Sequence, residues 1–255
     1  MIYINTPNKI KFFLLGFFCL IITGCGGSYV TPGGSVELSS LSEVEINELL
    51  SRQPAARFPV NLAIARIQAS GYQSYGQESY GAGKYSVITT REIERDEDFA
   101  RIIQMPKVNG VAPLNRIILP SRLDSIKDLR SAAARLRADI LMIYTLDTQF
   151  RIGHDSFGPL NIIALGLFPN KEVKVTTTAS VAFYDVRTEY LYGLAETTVS
   201  ESKTANLWGS SEAVDELRLD TETRSFQMLI SEVEKTWNNI LQQYSEKVQE
   251  SSEKI

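Results

Sequence analysis

The sequence predicts an α+β fold: a single mixed β-sheet with an antiparallel hairpin, packed helices and a long amphipathic C-terminal helix. Three observations support this. In residues 121–150, apolar side chains recur every three or four positions and then run unbroken from 140 to 144, which indicates a helix followed by a strand buried on both faces. Residues 171–200 alternate between apolar and polar, which predicts two antiparallel strands. Residues 221–248 again follow a helical period.

The other predicted elements fit the same sheet. Residues 60–67 and 85–89 indicate strands, and 116–119 indicates a further short strand. Residues 96–104 indicate a helix that Pro106 ends. The element order is therefore β–β–α–β–α–β–β–β–α within one domain.

Two polar clusters could suggest chemistry. Five acidic residues lie at 92–98, where a helix is expected to begin, and carboxylates there favour the positive end of the helix dipole, so we expect them to be solvated. His154, Asp155 and Ser156 include the residue types of a hydrolase triad, but adjacent residues cannot converge on one reacting atom. No dinucleotide, P-loop or zinc-spaced motif is present. We therefore expect no catalytic residue, no metal and no cofactor.

The first 24 residues have the features of a signal peptide. Lys9 and Lys11 precede an apolar run at 12–22, which is too short to cross a bilayer as a helix. The run ends in ITGC at 22–25, which resembles the lipobox of bacterial lipoproteins. That resemblance implies that residues 1–24 are removed and that acyl chains on Cys25 anchor the mature protein in a membrane.

The rest of the composition is consistent with that interpretation. Cys19 and Cys25 are the two cysteines, so the mature chain would keep only Cys25 and could form no internal disulfide. Removal of two lysines changes the formal net charge from −4 to −6 (−4 − 2), which argues against nucleic-acid binding. Gly26 follows Cys25, whereas an Asp there would resemble an inner-membrane retention signal. We therefore expect the protein to be anchored in the outer membrane, with its domain facing the periplasm.

Composition divides the chain into five parts. Residues 1–24 are the lipoprotein signal peptide, and 25–41 are the lipidated cysteine and a flexible Gly- and Ser-rich tether with a reach of roughly 20 Å. Residues 42–58 are a short helix and linker. Residues 59–248 form the periplasmic α/β domain, and 249–255 are a polar tail.

Two long connections are candidates for partner binding. Residues 70–86 are rich in glycine and tyrosine, and their tyrosines could form an exposed binding surface or pack on the flank of the domain. Residues 159–169 are strongly apolar and bounded by prolines, so they could cap the core or meet a partner or membrane. The candidate partner-binding residues are Tyr72, Tyr75, Tyr80, Tyr85, Ile162, Leu165 and Phe168.

Two segments resemble a known family. The sequence AAARLRAD at 132–139 runs into ILMIY, and ASVAFYDVRTE occupies 179–189. Together they are similar to the curli-secretion-channel lipoproteins and the lipoprotein activators of penicillin-binding proteins, which have "A-x-x-L-x-A-D" before a strand and "D-V-x-T-G" at a hairpin. Glu189 stands where that turn has Gly. The amphipathic transmembrane hairpins of the channel members are not evident, so the resemblance implies a periplasmic α/β domain, and pore formation is not carried over.

These features favour a non-enzymatic, membrane-anchored binding or scaffold module. Its partner would be another envelope protein or a peptidoglycan-associated component. The alternative is a subunit of a multimeric outer-membrane secretion or channel assembly, and an envelope hydrolase ranks third.

The lipobox leads to a direct prediction. Substitution Cys25→Ser removes the thiol that accepts lipid, so metabolic labelling with a fatty-acid analogue should disappear and an unprocessed precursor should accumulate. Labelling that survives the substitution would contradict the lipoprotein interpretation.

Overall fold

The structure, a computed structural model, describes residues 28–41, 45–74, 77–158, 161–164, 172–204 and 211–252. Cys25, Tyr75, Leu165 and Phe168 lie outside these ranges. The strands are β1 (Ser28–Val30), β2 (Val60–Ala69), β3 (Gln73–Ser74), β4 (Gln77–Glu78), β5 (Ala82–Gly83), β6 (Tyr85–Ile88), β7 (Val108–Pro113), β8 (Arg122–Leu123), β9 (Ile140–Ile152), β10 (Asp155–Phe157), β11 (Ile162–Ala164), β12 (Glu172–Asp185) and β13 (Leu191–Thr204). The α-helices are α1 (Ile46–Ser51), α2 (Asp96–Ile103), α3 (Ile126–Arg135) and α4 (Ser211–Ser252), and short 3-10 helices occupy Leu38–Leu41 and Arg116–Ile118.

A seven-stranded mixed sheet forms the centre of the molecule. Its main path is β13-β12-β9-β2-β6, with β7 paired to β2 and β10 paired to β9. Strand β9 runs parallel to β2 and antiparallel to β12. Separate two-stranded ladders join β1 to β11, β3 to β4 and β5 to β8. The predicted α+β class, with one large mixed sheet and a long C-terminal helix, is confirmed.

The first part of strand β9, residues 140–144, is covered on both faces, as its unbroken apolar run predicts. Ile140, Met142 and Tyr144 face the core beneath α4, and Leu141 and Ile143 face the core beneath α3. Alternate side chains of a strand point to opposite faces, so a strand between two helical layers has no polar side.

The hairpin between β12 and β13 is fixed by Asp185. Its carboxylate accepts hydrogen bonds from the backbone N–H of Arg187 (2.8 Å) and of Ala55 (2.7 Å), and from the hydroxyl of Tyr192 (2.8 Å). These donors tie the segment after α1 to the turn. Glu189 adopts a left-handed backbone with φ 62°, a conformation that glycine adopts more readily than other residues.

Two predicted boundaries are wrong. Residues Arg116–Ile118 form a 3-10 helix, capped by the Asn115 side chain, and the strand lies earlier, at β7, where Gly110 and Pro113 obscure the β pattern. Helix α4 begins at Ser211 rather than at 221. The apolar pattern did not reveal its first turns, because charged residues occupy the buried face there. The helix extends to Ser252, into the segment predicted as a polar tail.

The predicted flexible tether at 25–41 is wrong from Ser28 onward. Strand β1 pairs with β11, and the buried Thr31 accepts a hydrogen bond from the Asn161 backbone N–H (2.9 Å). A Cβ at Gly33 would lie 3.0 Å from Cα of Tyr72. Glycine therefore serves close packing here, whereas composition alone suggested chain flexibility.

The burial of Trp237 in α4, expected from its helical stripe, is confirmed and yields a stability prediction. The indole is fully buried between Phe58 and Phe183, and its N–H donates to the Pro106 carbonyl (2.8 Å). Substitution Trp237→Ala should lower the free energy of unfolding by about 3–5 kcal/mol, because it leaves a cavity. Urea denaturation measures this.

The matched control is Met228→Ala on the same helix, because Met228 is 53% exposed and its loss should change stability by less than about 0.5 kcal/mol. A loss below about 1 kcal/mol for Trp237→Ala would show that the indole does not contribute to the core.

Candidate binding surface

Two tyrosines proposed for partner binding lie inside the domain, so this prediction is wrong for Tyr72 and Tyr85. Both are fully buried. The Tyr72 hydroxyl accepts from Arg66 Nη2 (3.2 Å), and burial raises the pKa of Tyr72 to about 12. Tyr85 begins β6 and donates to the Ser125 carbonyl (2.9 Å). Tyr72 and Tyr85 lie at the two ends of the loop, where the chain leaves β2 and enters β6. Their side chains pack into the core there.

The other proposed residues are not brought together. Tyr80 is half-buried, donates to the Leu119 carbonyl (3.3 Å) and lies beneath the guanidinium of Arg116. Ile162 is 66% exposed, on β11. The structure therefore does not form one surface from the described members of the set.

A buried ionic network lies beneath α4, and its first centre is Arg218. This fully buried guanidinium donates to Asp215 Oδ1 (2.9 Å), Glu222 Oε2 (2.7 Å) and Glu92 Oε1 (2.9 Å). The Tyr29 hydroxyl on β1 donates to the same Asp215 oxygen (2.9 Å). Burial opposes the charged form of Arg218, but the surrounding carboxylates raise its pKa above the ordinary arginine value.

The second centre of the network is Arg66 on β2. It donates to Glu94 Oε1 (3.4 Å) and lies 3.6 Å from Glu222 Oε2, so Glu222 joins the two arginines. The Tyr144 hydroxyl donates to Glu94 Oε1 (2.7 Å), and Thr148 donates to Glu222 Oε1 (2.8 Å). Strands β1, β2 and β9, the segment before α2 and helix α4 therefore meet in one cluster.

This cluster corrects the expectation of a solvated acidic run. Glu92 and Glu94 are part of the network, and Asp98 is buried where it caps α2, while Asp96 and Glu97 are exposed as expected. Sequence reasoning missed both arginines. Extending the apolar stripe of α4 towards its start by steps of three and four would have reached Arg218 and Glu222.

The network has the character of a structural cluster. Its carboxylates are held by arginine, tyrosine and threonine donors within the described part of the chain. Among the described residues, no group of His, Cys, Asp and Glu is suited to a metal ion. His154, Asp155 and Ser156 are exposed around the β9–β10 turn, where Ser156 Oγ accepts from Arg151 Nε (3.3 Å).

The surface suited to binding is the face of β12 and β13 that no described helix covers, called here the uncovered face. Helix α4 packs on one face of these strands, while α3 on the other side covers β2 and β9. Two cavities of about 540 and 570 Å³ lie on the uncovered face and share Leu38 and Leu194. We call them together the open-face groove. Its other apolar lining residues include Val36, Leu49, Ile67, Ile143, Tyr184 and Leu191.

The groove adjoins the edge of the sheet. Leu194 is 60% exposed on β13, which is 14 residues long and contains no proline. Among the described strands, β13 pairs only with β12. Beyond the groove the same face is polar, with a hydrogen bond between Thr178 and Thr198 (2.9 Å). An apolar groove beside an unpaired strand edge suits an extended peptide, which can pair its backbone and bury a side chain.

Comparisons with known proteins give no functional assignment. No family model matches the chain, and no curated protein matches it. Protein XCC0632 from Xanthomonas campestris, described as family-model DUF330, is a structural match with a TM-score of 0.35 and 9% identity, covering 83% of this chain and 98% of that one. The hypothetical protein CT253 from Chlamydia trachomatis matches with a TM-score of 0.26 and 10% identity, and the match covers 70% of this chain and 96% of that one. Similarity at this level carries no argument about this chain.

None of the helices in the described ranges is both long enough and apolar enough to span a membrane.

The network yields the next prediction. Substitution Arg218→Met keeps much of the side-chain volume but leaves three carboxylates without their shared cation, so the free energy of unfolding should fall by about 3–5 kcal/mol. Urea denaturation at neutral pH measures this fall. Arg224→Met is the control, because Arg224 on the same helix pairs with Glu201 at a largely exposed site, where ion pairs contribute up to about 1 kcal/mol. Equal effects of the two variants would contradict a structural role for the network.

Proposed function

We propose that this chain is a lipid-anchored bacterial envelope protein whose domain is a non-enzymatic binding or scaffold module. The observation that carries the proposal is the open-face groove beside the edge of β13, which no other described strand pairs. The lipobox at Cys25 supports an envelope location, and the next residue, Gly26, supports the outer membrane. The buried carboxylates belong to the fold, so they do not favour an enzyme.

The partner that fits this surface is an extended segment of another envelope protein. Residues 191–195 of β13 are uncharged and lie beside the groove, whereas Glu196, Glu201 and Lys203 occupy the remainder of the strand. Charged side chains on an edge discourage pairing with another strand. Pairing is therefore favoured at the start of β13, where an apolar side chain of the partner would enter between Leu38 and Leu194.

The same edge favours a second candidate function, a subunit of a multimeric outer-membrane assembly. Two copies could pair their β13 strands about a two-fold axis, because one patch would then serve both subunits. The mass of a protein that begins at Gly26, and so lacks the signal peptide and Cys25, distinguishes these functions when it is measured by light scattering. A monomer at high concentration favours the binding module, and a defined oligomer favours the assembly.

The groove can be tested by photo-crosslinking in intact cells. A photoreactive amino acid replaces Thr198, which is exposed on the open face. Leu194→Asp in that background should sharply reduce the crosslinked product, because a buried carboxylate would oppose an apolar partner side chain. Thermal unfolding should be almost unchanged, because Leu194 is mainly exposed.

Met228→Asp is the matched control, since Met228 is exposed to a similar degree on α4. This variant should keep the product at the level of the parent protein. Binding must occur elsewhere if Leu194→Asp and the parent give equal amounts of crosslinked product. The same conclusion follows if crosslinking occurs only when the probe replaces Lys235 on α4.

A further inference from the structure

We propose that the β1–β11 ladder is a membrane-contact surface that fixes how the domain sits on the bilayer. Its occupant is the phospholipid bilayer that holds the acyl chains of Cys25. The inference rests on the proposed lipid anchor and adds to it an orientation that the predicted flexible tether would not impose.

The chain between the lipid anchor and the folded domain is short. Cys25 is separated from Ser28, the first residue of β1, by Gly26 and Gly27. Consecutive Cα atoms are 3.8 Å apart, so Ser28 can lie at most about 11 Å from Cys25. Each polar layer of a bilayer is about 5–8 Å thick. Strand β1 therefore begins at the membrane surface, with little space for water beneath it.

The β1–β11 ladder has one exposed apolar side. Val30 and Ile162 are directly opposite in the register, and they are 56% and 66% exposed. The neighbouring pair, Tyr29 and Ile163, is buried and packs with Phe150 in the core. The ladder thus presents an outward pair of β-branched side chains close to the anchor. An interfacial apolar surface of this kind enters the boundary between headgroups and acyl chains.

The ladder is also attached to the rest of the domain by side-chain hydrogen bonds. The Tyr29 hydroxyl donates to Asp215, and the Ser211 hydroxyl donates to the Ser28 carbonyl (3.1 Å). Thr31 donates to the Gly158 carbonyl (3.0 Å) directly after β1. Because these contacts join β1 to α4 and to the β10 region, the position of the ladder on a membrane determines the position of the whole sheet.

The test uses the full-length, lipidated protein in vesicles of phosphatidylethanolamine and phosphatidylglycerol. A cysteine is introduced as Ile162→Cys and labelled with an environment-sensitive fluorophore, since Cys25 would be blocked by its thioether. The control is Met228→Cys on the exposed side of α4. In vesicles, the probe at 162 should shift to the blue and become several-fold less accessible to an aqueous quencher. The probe at 228 should remain accessible.

The intact mass of the purified protein distinguishes a failure of the lipid anchor from a failure of the membrane contact. A mature protein without acyl chains overturns both the proposed anchor and this inference. Lipidated, vesicle-bound protein in which both probes are equally accessible overturns the membrane contact alone and leaves the anchored binding module in place.

Discussion

The packing of the long helix on the sheet depends on two arginines buried side by side. Arg218 on α4 and Arg66 on β2 share the carboxylate of Glu222, and their other acidic partners come from the segment before α2 and from Asp215. Transferring charged groups from water into the protein interior is unfavourable, and the attraction between them offsets this free-energy cost only when every charged partner is correctly positioned. Such a cluster tolerates few alternative positions of α4. It therefore sets where the helix crosses the sheet and holds β1 through Tyr29.

That arrangement also determines which surface remains open. Helix α4 covers one face of β12 and β13 along its length, and Gly193 permits this close approach, because a Cβ there would lie 3.0 Å from Thr236. Helix α3 has ten residues and covers only the strands beside it. The second face of β12 and β13 is left with hydroxyl pairs and an apolar groove. Acidic residues that suggested chemistry thus serve the fold, whereas the candidate binding surface is lined mainly by apolar side chains such as Leu38 and Leu194.

The sequence predicts the fold class well because its main signals are periodic. The unbroken run of β9 and the alternation along β12 each reflect burial that repeats along an element. It predicts the candidate site poorly. Tyr72 and Tyr85 occur in a glycine-rich segment that suggests exposure, but pairing of β6 with β2 turns Tyr85 inward, and Arg66 holds Tyr72. The groove is formed by Leu38 and Leu194, which are far apart in the chain, so no local pattern could reveal it.

The central claim is that the envelope partner binds at the open face and edge of β13. Hydrogen–deuterium exchange tests it most directly when native outer-membrane fragments are compared with the purified protein in detergent. Backbone pairing by a partner strand would slow exchange in peptides that cover residues 191–195, while peptides on the exposed side of α4 would exchange at the same rate in both samples. Unchanged exchange across 191–195, with protection gained on another surface of the domain, would contradict the account.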